Sequence, residues 1–265
     1  MDQADHPCTG TAVADRTYDI SFPQKESAGY AQDEEWCEVR LEGEPRRIRF
    51  HDYHEIYSLP GLYEQLFYDV LKCDSPRMVA ALLDEHLGTG RRSTQDLRVL
   101  DVGAGNGMVG EQLRPLGVET VVGIDIIEEA ARATERDRPG VYDDYVVADL
   151  TDLPPDVRKG LREHELNCLT TVAALGFGDI SPDAFAQAYN LIEPGGWVAF
   201  NLKDEFYDEG DGSGFSRLIK LGFDEGALEL GADRRYQHRL SVSGEPLHYV
   251  ALVARKVRDL PLGQA

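Results

Sequence analysis

Cysteine is scarce and scattered: four residues, at positions 8, 37, 73 and 168, with no C-x-x-C pair and no histidine at zinc-ligand spacing. That argues against a disulfide framework and a structural metal site, so no metal is expected and a reducing cytoplasm is the expected home. Basic residues are also few, 27 Lys and Arg against 48 Asp and Glu, for a net charge of −21. A surface that acidic repels a phosphate backbone over most of its area, so nucleic acid is not an expected partner. The opening Met1-Asp2-Gln3-Ala4-Asp5 lacks the basic and apolar regions of a signal peptide, and no run of roughly 18 apolar residues occurs, so neither export nor a membrane partner is expected. There is no internal repeat and no low-complexity segment. What remains, 42% hydrophobic and 28% charged residues over 265 positions, is the composition of a folded chain with room for one large α/β domain and an extension, or two small domains.

The first 38 residues hold nine acids against Arg16 and Lys25 and few large apolar side chains, which reads as a tail or draped arm. From Trp36 the pattern tightens. Cys37, Val39 and Leu41 alternate with polar residues, Gly43-Glu44-Pro45 marks a turn, and Ile48 and Phe50 alternate again, predicting a hairpin. The aromatic run from His51 to Tyr57 follows, then Leu62, Leu66, Phe67, Val70 and Leu71 at helical spacing, and a helix near Pro76 to Leu87. Beyond residue 96 short apolar strands alternate with helical stretches, the mark of a mostly parallel sheet covered on both faces. The strands are Leu97 to Val102, Thr120 to Ile126, Asp144 to Leu150, Leu166 to Ala174 and Trp197 to Lys203. Between the last two, Ser181 can cap a helix from Pro182 to Leu191 that Pro194-Gly195-Gly196 stops. The chain ends in two strand-like runs, Arg235 to Val242 and Leu247 to Arg255, joined as an antiparallel hairpin. The expected fold is thus α/β, a Rossmann-like seven-stranded, mostly parallel sheet with helices on both faces, an antiparallel C-terminal hairpin and an N-terminal extension. The expected division is an acidic tail or arm over 1–38, a hairpin and helical cap or lid over 39–95, and the core over 96–265.

The first core strand runs Val99-Leu100-Asp101-Val102 straight into Gly103-Ala104-Gly105-Asn106-Gly107 and then a helix. Three alternate glycines between strand and helix let a ligand press against bare backbone, which points to a nucleotide-like molecule. Gly105 to Gly110 also satisfies the loose dinucleotide pattern, but that match would begin two residues into a turn already opened by Gly103. With Asp101 included, the segment resembles motif I of the class I S-adenosylmethionine-dependent methyltransferases. The resemblance runs from about Leu97 to Arg255: Val122-Gly123-Ile124-Asp125-Ile126 resembles the second strand with its ribose-binding acid, Val146-Val147-Ala148-Asp149-Leu150 the third strand with its adenine-binding acid, and Glu193-Pro194-Gly195-Gly196 the turn before the fifth.

The resemblance implies S-adenosyl-L-methionine as cofactor, held by Asp101, Gly103, Ala104, Gly105, Asn106, Gly107, Asp125, Ile126, Asp149, Leu150 and Ala174, with Tyr57 from the preceding segment closing over it. Asp101 is expected to organise the turn near the ligand's ammonium. Each acid also has a plainer reading, Asp125 as cap of the helix after Ile127 and Asp149 as cap of the Thr151-Asp152 turn. Methyl transfer from a sulfonium needs alignment and exclusion of water more than a fixed catalytic group. If the acceptor carries a proton, a base must take it, and His51, His54, Tyr57 and Tyr207 are candidates, within the clusters His51, Asp52, Tyr53, His54, Glu55 and Tyr57 before the core and Lys203, Asp204, Glu205, Phe206 and Tyr207 after the fifth strand. Thr170-Thr171-Val172-Ala173-Ala174 stands where the family's amide and exocyclic-amine enzymes carry Asn or Asp with Pro-Pro and an aromatic, and the Pro-Cys of cytosine carbon methylation is missing. The chain therefore looks most similar to the small-molecule enzymes, with a fainter likeness to the Williams-Beuren-region methyltransferase-like proteins around Gly107 to Gly110 and Ala174-Leu175. The alternatives are an NAD(P)-dependent oxidoreductase and a non-catalytic regulatory protein that keeps the cofactor pocket.

Overall fold

The computed structural model describes residues 17–23, 31–88, 93–175, 178–204 and 214–263. Cys8, Gly176, Phe177, Glu205, Phe206 and Tyr207 lie outside them. Short apolar runs punctuated by turns give a seven-stranded sheet built from β4 (Arg98–Val102), β5 (Thr120–Asp125), β6 (Asp144–Val147), β7 (Cys168–Thr171), β8 (Trp197–Lys203), β9 (Leu228–Leu240) and β10 (Pro246–Lys256). Their order is β6-β5-β4-β7-β8-β10-β9, parallel except for β10, which runs antiparallel to both β8 and β9. The hairpin is therefore longer than its apolar pattern suggested, and its second strand, not its first, joins the parallel strands. From β4 the chain moves outward to β5 and β6 and then returns to β7 on the other side, which puts the switch in strand order at the carboxyl end of β4, where open α/β sheets bind ligands.

Strand parity sorts the core. Leu100, Val102, Val122, Ile124, Val198, Phe200 and Leu252 pack on one face with α6 (Pro182–Leu191). Val99, Val121, Ala199, Ala251 and Val253 pack on the other with α2 (Ser75–Gly88) and Val109 and Leu113 of α3 (Met108–Leu113). Ser181 caps α6 by accepting from the Ala184 amide at 3.1 Å, as its place before Pro182 predicts.

The N-terminal segment forms its own three-stranded antiparallel sheet, β1 (Ile20–Ser21), β2 (Trp36–Leu41) and β3 (Glu44–Arg49) in that order. Cys37, Val39, Ile48 and Phe50 face inward onto Ile56, Leu62, Leu66 and Phe67. Residues 17–23 and 31–38 are thus part of this layer, and β2 starts three residues before the expected boundary at 39. Glu35 sits 2% exposed and ion-paired with Arg239 of β9, at 2.5 Å, tying the layer to the core sheet. After β3 the chain enters α1 (Tyr53–Ser58), and the helical pattern at Leu62 to Leu71 resolves into a π-helical turn, Glu64–Val70. Such turns are rare and concentrate at functional sites.

Candidate functional site

The glycine turn is held from beneath by hydroxyls. Gly103, Gly105 and Gly107 have φ of 70°, 54° and 91°, so this path needs glycine. The Gly105 carbonyl accepts from Thr134 Oγ1 at 2.8 Å and from the Tyr145 hydroxyl at 2.7 Å, and its amide donates to Asp125 Oδ2 at 2.9 Å. Gly107 precedes α3, and a Cβ there would lie 2.9 Å from Val141. Asp101 shares its strand face with Val99, so parity turns it away from Leu100 and Val102; it is 1% exposed and accepts from Tyr142 at 2.6 Å and from Thr170 at 2.7 Å. Burial pushes its carboxyl up to about 7, against the pull of those two hydroxyls.

A carboxyl protonated in the folded chain but ionised in the unfolded one stabilises at low pH, and that stability drains away as pH rises from about 4 to about 7, at up to about 1.4 kcal/mol per pH unit. Asp101→Asn should therefore flatten the stability profile over that window and raise the melting temperature at pH 8. Thermal unfolding of parent and variant between pH 4 and 8 measures this. Parallel profiles for the two proteins would refute the buried-acid account.

Beside the turn, at the carboxyl ends of β4 to β7, lies a cavity of about 340 Å³. Of the residues expected to hold a cofactor, Gly103, Asp125, Ile126, Asp149, Leu150, Ala174 and Tyr57 line it. Asp101, Ala104, Gly105, Asn106 and Gly107 do not; they shape the turn behind it. Asp125 accepts from the Ile127 amide at 3.0 Å as well as from Gly105, so its capping role and its place on the cavity wall coexist. Burial raises its pKa against those amide bonds. Asp149 accepts from the Thr151 amide and hydroxyl at 2.8 and 2.7 Å, which lowers its pKa. Each carboxylate keeps acceptor capacity beyond these bonds. Ile126, 61% exposed, offers an apolar edge. Beyond β7, Ala173 takes a left-handed φ of 58°, held by its amide bond to the buried Asn201 side chain at 2.7 Å. This bends the loop so that Val172, Ala173 and Ala174 form one wall.

The roof is aromatic: Tyr53, Tyr57 and Tyr63 all line the cavity, with Tyr57 stacked 6.0 Å from Tyr53 and 5.0 Å from Tyr63. The Tyr57 hydroxyl rests on the glycine turn, 2.5 Å from where a Cβ on Gly105 would be. Burial pushes both the Tyr53 and Tyr57 phenols up, so they stay protonated hydrogen-bond donors. Polar ties pin the roof to α4 (Glu128–Asp137) and its C-terminal neighbour Arg138: Arg136 donates to the Tyr57 carbonyl, His54 pairs with Glu129 at 2.8 Å, and Glu64 meets Arg138 at 2.6 Å. Glu64 also accepts from the Asn106 side chain at 2.6 Å, whose own Oδ1 is buried without a partner. On the far side, Asp179 lines the cavity and bonds His51 at 3.0 Å. Tyr63 and Asp179 were missed by sequence reasoning. The i to i+4 pair Tyr53 and Tyr57 signalled one aromatic face, but Tyr63 lies beyond Pro60-Gly61 and Asp179 follows a loop with no periodic pattern.

Among the described residues no group of three or more His, Cys, Asp or Glu is placed to hold a metal ion, and no helix is long and apolar enough to cross a membrane. The two opposed acids, the small-residue wall and the apolar edge suit a nucleoside with an amino-acid arm. Residues 100–200 match a family model described as a methyltransferase domain. No curated protein matches the chain by sequence. A solved structure concerning conversion of a disulfide bond into a thioacetal group during echinomycin biosynthesis matches 75% of this chain and 93% of its own at 16% identity, with a TM-score of 0.50. Magnesium protoporphyrin IX methyltransferase from Synechocystis PCC 6803, with bound SAM, matches 68% of this chain and 79% of its own at 14% identity and a TM-score of 0.46. A ribosomal protein L11 methylase from Lactobacillus delbrueckii subsp. bulgaricus matches 69% and 79% at 16% identity and a TM-score of 0.47. The seven-stranded fold is shared with the first of these structures, and residues 100–200 match a methyltransferase domain.

Proposed function

We propose that the chain methylates a small organic acceptor, with the cofactor held in the cavity beneath the tyrosine roof and residues 39–95 acting as its lid. The observation that supports this reading is the aromatic roof of Tyr53, Tyr57 and Tyr63 over a half-open cavity of about 340 Å³, within the size range of small-molecule sites. When bound, S-adenosylmethionine supplies a methyl group on a positively charged sulfur, a good leaving group. In this reading Asp125 takes the ribose hydroxyls with the lone pairs its amide bonds leave free, and Asp149 takes the adenine amino group. Ile126 and Leu150 flank the base, and Gly103 and Ala174 admit close approach of the amino-acid arm. Tyr57 offers its protonated phenol and, with Tyr53 and Tyr63, keeps water from the reacting atoms. The strongly acidic surface supports a non-nucleic acceptor.

Tyr57→Ala should open the roof above Gly105 and weaken S-adenosylhomocysteine binding about tenfold, or ~1.4 kcal/mol. Titration calorimetry reads this directly, and unchanged affinity and turnover would remove Tyr57 from the site. The acceptor is tested by incubating the protein and methyl-labelled cofactor with metabolite, protein and RNA pools. Label in the metabolite pool is the expected result. Label only in RNA or protein would overturn the small-molecule reading and leave the cofactor site standing.

A further inference from the structure

Strand β8 reads Trp197-Val198-Ala199-Phe200-Asn201-Leu202-Lys203, an apolar run broken near its centre by one amide. Asn201 is fully buried, and a buried amide costs free energy unless its polar atoms are bonded. Here they are. Its Nδ2 donates to the Tyr236 hydroxyl of β9 at 2.7 Å and to Ser75 Oγ, at the start of α2, at 3.2 Å. Ser75, also fully buried, meets the Tyr236 hydroxyl and Nδ1 of His238, each at 2.6 Å. On its other side Asn201 accepts the Ala173 amide through Oδ1 at 2.7 Å. A backbone N–H can only donate, so Oδ1 must face Ala173 and Nδ2 the hydroxyls. Ala173 is unusual in its own right. It lines the cavity between Val172 and Ala174, with a φ of 58° in the region that residues bearing a Cβ leave to glycine. Such residues persist only where their surroundings over-determine them, and they gather at ligand sites. The next side chain, Ala174, has its Cβ 3.1 Å from where a Cβ on Gly103 would be, so the bend at Ala173 sets the gap between this wall and the glycine turn.

We infer that Asn201 is a positioning residue for the cofactor: it holds Ala173 in the left-handed conformation and so fixes the wall along which the amino-acid arm lies. The inference rests on the cofactor reading above. Asn201 does not itself line the cavity and acts through Ala173 alone. The buried cluster behind it fixes the orientation of the amide. Ser75 belongs to the helix that follows the aromatic roof and Tyr236 to the C-terminal hairpin, and a backbone bond from the Asp74 amide to the His238 carbonyl, at 2.9 Å, stitches the two together beside the cluster. The wall of the cavity is thus set by three elements that meet behind it. Without the Asn201 acceptor, Ala173 relaxes toward negative φ, where an alanine is unstrained, and the chain at Ala174 turns away from its present path. The loss then falls on ligand binding as well as on the fold.

The test titrates the full chain and four variants with S-adenosylhomocysteine by calorimetry and records their melting temperatures. Asn201→Leu keeps the volume and removes the acceptor, so it should bind about tenfold more weakly and melt several degrees lower. Ala173→Gly should bind within about threefold of the parent, because glycine takes a positive φ without support. Combined with Asn201→Leu, it should bring affinity back to within about threefold while the melting temperature stays low, since the Ser75 and Tyr236 hydroxyls still lack the amide. Recovery of affinity without recovery of stability is a result that a purely structural Asn201 could not give. Ala173→Pro has no amide proton and cannot take a positive φ; it imposes the relaxed wall with the buried cluster intact and should cost about tenfold in affinity, which carries the test if Asn201→Leu does not fold. Parent-like affinity in Asn201→Leu or Ala173→Pro, or a double variant as weak as Asn201→Leu alone, overturns the positioning role. Failure of the parent to bind S-adenosylhomocysteine would instead remove the cofactor reading beneath it.

Discussion

Asp125→Ala should weaken S-adenosylhomocysteine binding by about 1.5 to 3 kcal/mol, because it removes a carboxylate from the cavity wall and, in the reading proposed above, leaves two ribose hydroxyls without a charged acceptor. The same change strips the acceptor from the Gly105 and Ile127 amides, so part of the loss comes through a loosened turn. Asp125→Asn separates the two effects. Its side-chain oxygen still accepts one of those amides, so the fold should hold while most of the affinity loss remains. Calorimetric titration of both variants, alongside their melting temperatures, measures this. Parent-like affinity in Asp125→Asn would make the residue a cap alone.

A second large effect lies far from the cavity. Glu35→Ala should destabilise the chain by about 3 to 5 kcal/mol, since removing one partner of a buried ion pair strands the other. Arg239 is 4% exposed, lies 5.4 Å from the Phe50 ring centroid, and would keep its charge with, among the described residues, the Leu240 carbonyl as its hydrogen-bond acceptor, while the Val242 amide would lose its acceptor. For a chain of this size the melting temperature should fall by about 10 °C. A change within 2 °C or so would mean that water or another acid already satisfies Arg239. Deletion of residues 1–35 should show the same loss, although the acidic composition of that segment reads as a tail or draped arm.

These cases show where sequence was informative. The turn from Asp101 to Gly107 and the strand-end acids Asp125 and Asp149 were legible because strand, turn and helix sit next to one another along the chain. The alternation of short apolar strands with helical stretches also predicted a sheet covered on both faces. Strand parity, applied to Asp101 itself, turns the acid away from the cavity, into a pocket made by Tyr142 and Thr170 that only tertiary structure brings together. Glu35 looked like one more acid in an acidic tail, because its partner lies 204 residues away. The lid was legible only in part. Its aromatic face is helical in period, but Glu64 meets Asn106 and Arg138 through long-range contacts, and Asp179 meets His51 across 128 residues.

The central claim is that the cavity beneath Tyr53, Tyr57 and Tyr63 binds S-adenosylmethionine. It is tested most directly by calorimetric titration of the parent with S-adenosylhomocysteine and, separately, with NADH. The account predicts saturable binding of S-adenosylhomocysteine at one site per chain and none of NADH. Binding of NADH with no heat from S-adenosylhomocysteine would contradict it.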